Sequence, residues 1–263
     1  MNKVFFRIIF LFIFITTTHL ATAKPTNFES VSDSLTSKKN SKEYVALALE
    51  KIETSIKDVY DEIGAEEYGL NFEAFRYAYI GYQSLKKQQR LNDKEIFSII
   101  DFSKDCNTKR FYTIDLENKQ IIYNTYVSHG KKSGEKAATS FSDVKESHKS
   151  SLGFYITGKT YMGSKGFSLK LHGDERGYNS NMETRGVVIH TSKYANEDYI
   201  LKTGRMGRSL GCPVLPQNIY KQVIETIKDK TMIFAYYNHP KYLSTSKYLN
   251  ILKLIDDENS ASF

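Results

Sequence analysis

The sequence predicts a mainly β protein, an antiparallel sandwich or open barrel, with a small helical region at its N-terminal end. Three observations predict it. From Ile96 onward, seven short runs rich in β-branched and aromatic residues alternate with turn residues. Nineteen Tyr and sixteen Phe with no Trp suit a β-rich core. Few helical patterns interrupt the runs, which argues against a doubly wound sheet of alternating strands and helices.

In chain order, Lys3 and Arg7 open an apolar stretch that reaches Ile15, and Ala21-Thr22-Ala23 follows. Charge, apolar run and small-residue site in that order read as a secretory signal over residues 1–23, cleaved after Ala23, with an uncleaved anchor as the alternative. The run is shorter than the roughly 20 apolar residues a membrane span needs. The mature chain is therefore expected to be exported to the periplasm or cell envelope, with no stable membrane insertion.

Residues 24–42 are Ser, Thr, Lys and Asn with few apolar positions, the composition of a flexible linker. Residues 43–93 form the helical region. Val45, Leu47, Leu49, Ile52, Ile56, Val59 and Ile63 recur at helical spacing, and Asn71 caps a second helix with Phe72, Phe75, Ala78, Tyr79 and Tyr82 on one face. The main domain is expected over 94–240, with strands at 96–102, 110–116, 120–127, 152–157, 167–172, 186–190 and 231–237, and one amphipathic helix at 217–227. Residues 241–263 read as a C-terminal tail with at most a short helix, ending in a polar disordered segment.

The chain carries a formal charge of +7, and loss of residues 1–23 with Lys3 and Arg7 leaves +5. Lys, Asp and Glu are interspersed with no basic arm, so nucleic acid is not an expected partner. In an exported protein the two cysteines, Cys106 and Cys212, could form a disulfide. Their settings point elsewhere, because Cys106 lies in a polar turn and Cys212 in a loop rich in Gly and Arg.

Two segments carry chemistry. Arg185-Gly186-Val187-Val188-Ile189-His190 is a strand ending in His, and Gly207-Arg208-Ser209-Leu210-Gly211-Cys212-Pro213 follows. Gly and Ser before a Cys let the backbone turn sharply and expose its N–H groups, as acyl transfer requires beside its nucleophile. A strand-end His can take the thiol proton and hold the thiolate as an ion pair. The bland alternatives are a buried thiol, a core His, and Arg205, Arg208 and Ser209 as turn and surface residues. His172 reads equally as a pocket wall or a structural hydrogen-bonder, and a metal site of His172, Asp174 and His190 fits no zinc spacing. His129 reads as a surface or loop residue.

At these residues the chain resembles the YkuD-type L,D-transpeptidases, in particular the murein L,D-transpeptidase catalytic-domain branch with Gly-Arg-Ser-x-Gly-Cys-Pro. The resemblance runs from about Ile96 to Tyr237 and includes 125–130, 151–155 and 168–173. It implies that Cys212 attacks and His190 acts as base and then acid. The Gly211 and Cys212 N–H groups would hold the oxyanion, and the Thr191 carbonyl would orient His190. It further implies acyl transfer between peptidoglycan stem peptides through a thioester, with L,D-carboxypeptidase activity if water is the acceptor, and no metal or organic cofactor. Leu210 stands where the commoner family loop has His, Pro213 is additional, and Val214 replaces the usual Arg or Asn. Arg208 or Arg205, with Ser209 and His172, is then expected to contact substrate. The rival expectation is a non-catalytic envelope-binding scaffold of the same fold.

Overall fold

The computed structural model describes residues 42–255, so the expected signal, nearly all of the expected linker and the end of the C-terminal tail lie outside the described residues. From Val45 onward the chain forms one compact unit. Helix α1 (Lys42–Glu62) turns its buried Ala48, Ile52, Ile56 and Tyr60 toward α2 (Phe72–Lys87). Asn71 caps α2 by accepting a hydrogen bond from Ala74 N at 3.1 Å, and Arg76 Nε donates to Glu53 across the pair at 2.7 Å. The helices are not an independent appendage. Phe75 and Tyr82 of α2 pack on Phe97, and a Cβ on Gly81 would lie 2.1 Å from the Phe154 ring, so α2 can rest on the sheet only with a glycine there.

Eight strands follow: β1 (Ile96–Asp101), β2 (Phe111–Asp115), β3 (Gln120–Thr125), β4 (Gly153–Gly163), β5 (Gly166–His172), β6 (Val188–Thr191), β7 (Val214–Leu215) and β8 (Met232–Tyr236). They form one sheet in the order β3-β2-β1-β8-β4-β5-β6-β7. The seven expected strands are all present, β4 being six residues longer at its C-terminal end. The sheet is mixed, however, with β1–β8 and β6–β7 parallel. Its two ends approach each other through irregular chain: Ser128 N donates to Val214 O at 3.0 Å, Ser209 N to His129 O at 2.9 Å, and Lys131 N to Ser209 O at 2.8 Å. The result is a nearly closed barrel around one core that includes Phe111, Leu152, Leu171, Ile189, Ile233 and, from helix α4 (Tyr220–Ile227), Val223 and Ile224.

Two helices outside the sequence expectation, and the short helix expected in the C-terminal tail, complete the fold. Helix α3 (Glu197–Thr203) is capped by Asn196, whose side chain accepts from Tyr199 N, and stopped by Gly204 at φ 77°. Helices α5 (Pro240–Thr245) and α6 (Leu252–Ile255) bring the chain back over the sheet. There the buried Glu175 accepts from Phe154 N at 2.9 Å and from the Tyr242 hydroxyl at 2.9 Å. Among the described residues no helix is long and apolar enough to cross a membrane.

Candidate functional site

The site is built where β6 meets β7. His190 is registered on Val214 and Thr191 on Leu215, and Thr191 Oγ1 donates to Leu215 O at 2.8 Å. The approach to β7 is fixed by Ser209, whose hydroxyl donates to Cys212 O at 2.6 Å while accepting from Gly211 N at 3.0 Å. Gly211 has φ 127°, a region L side chains avoid, and a Cβ there would lie 2.9 Å from Lys149 O. The Gly211 N–H that the resemblance assigns to an oxyanion is thus occupied by Ser209. The Cys212 N–H has no hydrogen-bond partner among the described residues.

His190 is buried, 7% exposed, and its Nδ1 lies 2.9 Å from Thr191 O. A carbonyl only accepts, so Nδ1 carries the proton and Nε2 is left as a base. Burial holds the imidazole below its ordinary range, opposed by the bond to Thr191 O and assisted by the charge of Lys165. Cys212 is half-buried, and its Sγ lies 3.7 Å from Gly186 O, with the Val188 N–H turned to it. Burial raises the thiol above its ordinary range, opposed by that N–H and by the Arg185 charge.

No hydrogen bond joins Cys212 Sγ to the His190 ring among the described residues. The two directions also run against the expected resting ion pair: burial penalises both charged forms, and the arrangement favours thiol with neutral imidazole.

Arg185, just ahead of the strand that ends in His190, has no evident role in the sequence. Its side chain is 3% exposed and donates to Ser142 O at 2.8 Å, Ser151 Oγ at 2.6 Å, Ser147 Oγ at 3.3 Å and Lys149 O at 2.7 Å. It therefore fixes the 142–151 segment, whose Lys149 carbonyl abuts Gly211, and its positive charge acts on the Cys212 thiol. Its sequence signal was weak, since an Arg before a strand is ordinarily a surface residue.

The remaining expectations separate. Arg208 Nη1 donates to Glu135 at 2.7 Å and to Gly134 O at 2.9 Å, and Arg205 Nε lies 3.3 Å from the same Glu135. Both guanidinium groups thus already face a carboxylate. His172 lies in a different cavity, 3.6 Å from Glu183, with its Nε2 over Gly158.

His129 is not a surface residue. It is fully buried, its Nδ1 accepts from Arg110 Nη2 at 2.8 Å, and its Nε2 donates to Gly134 O at 3.2 Å. Burial and the Arg110 charge push it down to about 4. His129 stays neutral and braces the strip that holds Ser209. Cys106 is 1% exposed and free, as is Cys212, so the disulfide alternative is not formed. Among the described residues no three His, Cys, Asp or Glu side chains converge as a metal set.

No curated protein sequence matches this chain. Solved structures similar to it include an L,D-transpeptidase from Mycobacterium smegmatis, at 12% identity over 55% of this chain and 59% of that one, with TM-score 0.35. L,D-transpeptidase 1 of Mycobacterium tuberculosis is 11% identical over 55% and 62%, with TM-score 0.32. The helical cell shape determining protein Pgp2 of Campylobacter jejuni is 16% identical over 69% and 61%, with TM-score 0.39. The chain thus spans about three fifths of the length of each. A family model described as the L,D-transpeptidase catalytic domain matches residues 66–236, more than half of the chain, and the chain belongs to that family.

Proposed function

We propose that the chain is a cysteine L,D-transpeptidase of the cell envelope, using Cys212 as nucleophile and His190 as general base. The observation that carries this reading is the Nδ1–H···O contact to Thr191, which leaves His190 Nε2 free to accept a proton on the strand beside Cys212. In the reaction, Cys212 Sγ attacks the carbonyl of the third residue of a donor stem peptide as its proton passes to His190 Nε2. The Cys212 N–H takes part of the oxyanion charge, and a Gly211 N–H released from Ser209 would complete the hole. Protonated His190 gives its proton to the departing D-alanine amine, leaving a thioester. A side-chain amine of a second stem then forms the cross-link, or water completes a carboxypeptidase cycle. No organic cofactor or metal enters this scheme.

Incubating the purified chain with disaccharide tetrapeptide and weighing the products tests the reading. A cross-linked dimer lacking one D-alanine, or a tripeptide with free D-alanine, is the expected result. Unchanged substrate would instead favour a non-catalytic wall-binding protein of the same fold, a reading supported by the occupied Gly211 N–H.

The titration directions give a second expectation that does not need turnover. Burial raises the Cys212 thiol, so its reactive thiolate is lost as pH falls through a value above the ordinary thiol pKa of about 8.5. Alkylation of Cys212 by iodoacetamide should therefore show one midpoint on the alkaline side of that value, while the buried Cys106 stays unlabelled. A rate plateau extending to mildly acidic pH would instead establish the resting thiolate–imidazolium pair.

A further inference from the structure

The β5 strand beside the site leads to a second cavity, of about 690 Å³, lined by Arg90, Lys159, Lys170, His172, Asp229 and Lys230 among others. Lys170 is registered on Val188, the residue whose N–H is turned to Cys212. The Lys170 backbone therefore stands one strand spacing, ~5 Å, from Val188 and about two, ~10 Å, from β7, which follows the Cys212 loop.

The charge in this cavity is unbalanced. Arg90 is held by Asp174 and the Tyr248 hydroxyl, Asp229 is the carboxylate in the wall, and Glu183 reaches His172 at 3.6 Å. Lys159, Lys170 and Lys230 are all exposed and have no ion pair among the described residues. Three ammonium groups without a carboxylate partner, that of Lys170 lying 6.0 Å from the centroid of the Tyr161 ring, share one concave wall and raise the local concentration of anions.

The backbone gives a second, independent mark. Gln89, Asp229 and Lys230 have φ of 53°, 63° and 68°, left-handed values that residues with a Cβ rarely adopt, and all three rim this cavity. The strained pair is held to β4, with Asp229 N donating to Gly158 O at 3.1 Å and Lys230 N to Thr157 O at 2.8 Å. Lys230 is thus presented from a fixed backbone. Arg205 and Arg208, expected from the sequence to contact substrate, meanwhile face Glu135.

We propose that the Lys159–Lys170–Lys230 trough is the subsite that binds a carboxylate-bearing stretch of the peptide whose acyl group Cys212 takes. This rests on the reading of Cys212 as nucleophile. Lysines suit the task because a peptide carrying carboxylates at several positions needs mobile point charges, not one planar fork.

The test uses the full chain and two labelled stem tetrapeptides, one with free carboxylates and one with every carboxylate amidated, read by fluorescence anisotropy at low ionic strength. The acidic peptide should bind the parent more tightly than the amidated one. In K159E/K230E it should bind about tenfold more weakly or worse, while the amidated peptide is unchanged. K159Q/K230Q, the gentler substitution, should fall between, and matched thermal melts confirm that each variant is folded. Equal binding of the two peptides by the parent, or acidic binding untouched in both variants, overturns the trough. So does loss of inorganic polyphosphate binding in K159E/K230E with acidic-peptide binding intact, which would assign the surface to a phosphate polymer. D-Alanine release followed in the same samples separates the two readings: binding that follows the charges without release sinks the reaction alone, and release with charge-independent binding sinks the trough alone.

Discussion

Cys212→Ala is expected to abolish D-alanine release from a donor stem peptide, and His190→Ala to lower kcat by about 10²–10⁴-fold, the usual worth of a positioned general base. On the proposed mechanism, removing Cys212 deletes the thiol that takes the acyl chain as a thioester, and the other thiol, Cys106, is buried. Removing His190 leaves a thiol that burial already keeps protonated, with no acceptor for its proton at the strand beside it. The two side chains act as a unit, so the double variant should be no slower than Cys212→Ala. Both variants should keep the parent melting temperature to within a few degrees, because neither ring nor thiol carries the closure of the barrel. D-Alanine release at the parent rate by Cys212→Ala would sink the mechanism.

The second large effect is expected at Arg185. Arg185→Met keeps the length of the side chain but removes the guanidinium that satisfies Ser142 O, Ser147 Oγ, Lys149 O and Ser151 Oγ, and it leaves Asp143, 3.9 Å away, with less compensation. Stranding the buried Asp143 carboxylate and Ser151 hydroxyl, together with three half-buried acceptors, costs about 3–5 kcal/mol. At about 2–4 °C per kcal/mol for a chain of this size, a thermal melt should fall by roughly 10 °C.

Activity should fall further than stability. The freed Lys149 carbonyl lies against Gly211, and the loss of a nearby positive charge moves the Cys212 thiol still further up. The alkylation midpoint of Arg185→Met should therefore shift to higher pH than that of the parent. An Arg185→Met protein with parent stability and an unmoved midpoint would show that Arg185 neither fixes the 142–151 segment nor acts on the Cys212 thiol. Arg185→Lys should recover part of the midpoint, through its charge, and less of the stability, because an ammonium cannot reach four acceptors from one plane.

Some of this was legible before any coordinates. The period change after Asp93, from helical spacing to short runs, located seven strands because β-branched and aromatic runs bounded by turn residues are a local property of sequence. Asn71 announced its helix because a cap is set by residues three apart. Helix α3 had equally local marks in Asn196 and Gly204, but no buried residue and hence no apolar stripe to draw attention to it. Strand β7 could not be read at all. Val214 and Leu215 are two residues behind a proline, and they become a strand only because β6 offers them a partner.

The sequence by itself determined the family, the strand content and the pairing of a strand-end His190 with a Gly-Ser-Cys loop, since each depends on residue identity and near spacing. Only the tertiary structure decided how the charges are spent. Arg208 and Arg205 look like free cations in the sequence, and folding brings both to Glu135, at least seventy residues upstream. His129 looks like a loop residue, and folding buries it against Arg110. Arg185 looks like a surface residue, and folding makes it the cation that fixes the loop behind Cys212. Burial and pairing with residues remote in the chain set both the desolvation and the partner of a charged group, and neither quantity is written in its sequence neighbours.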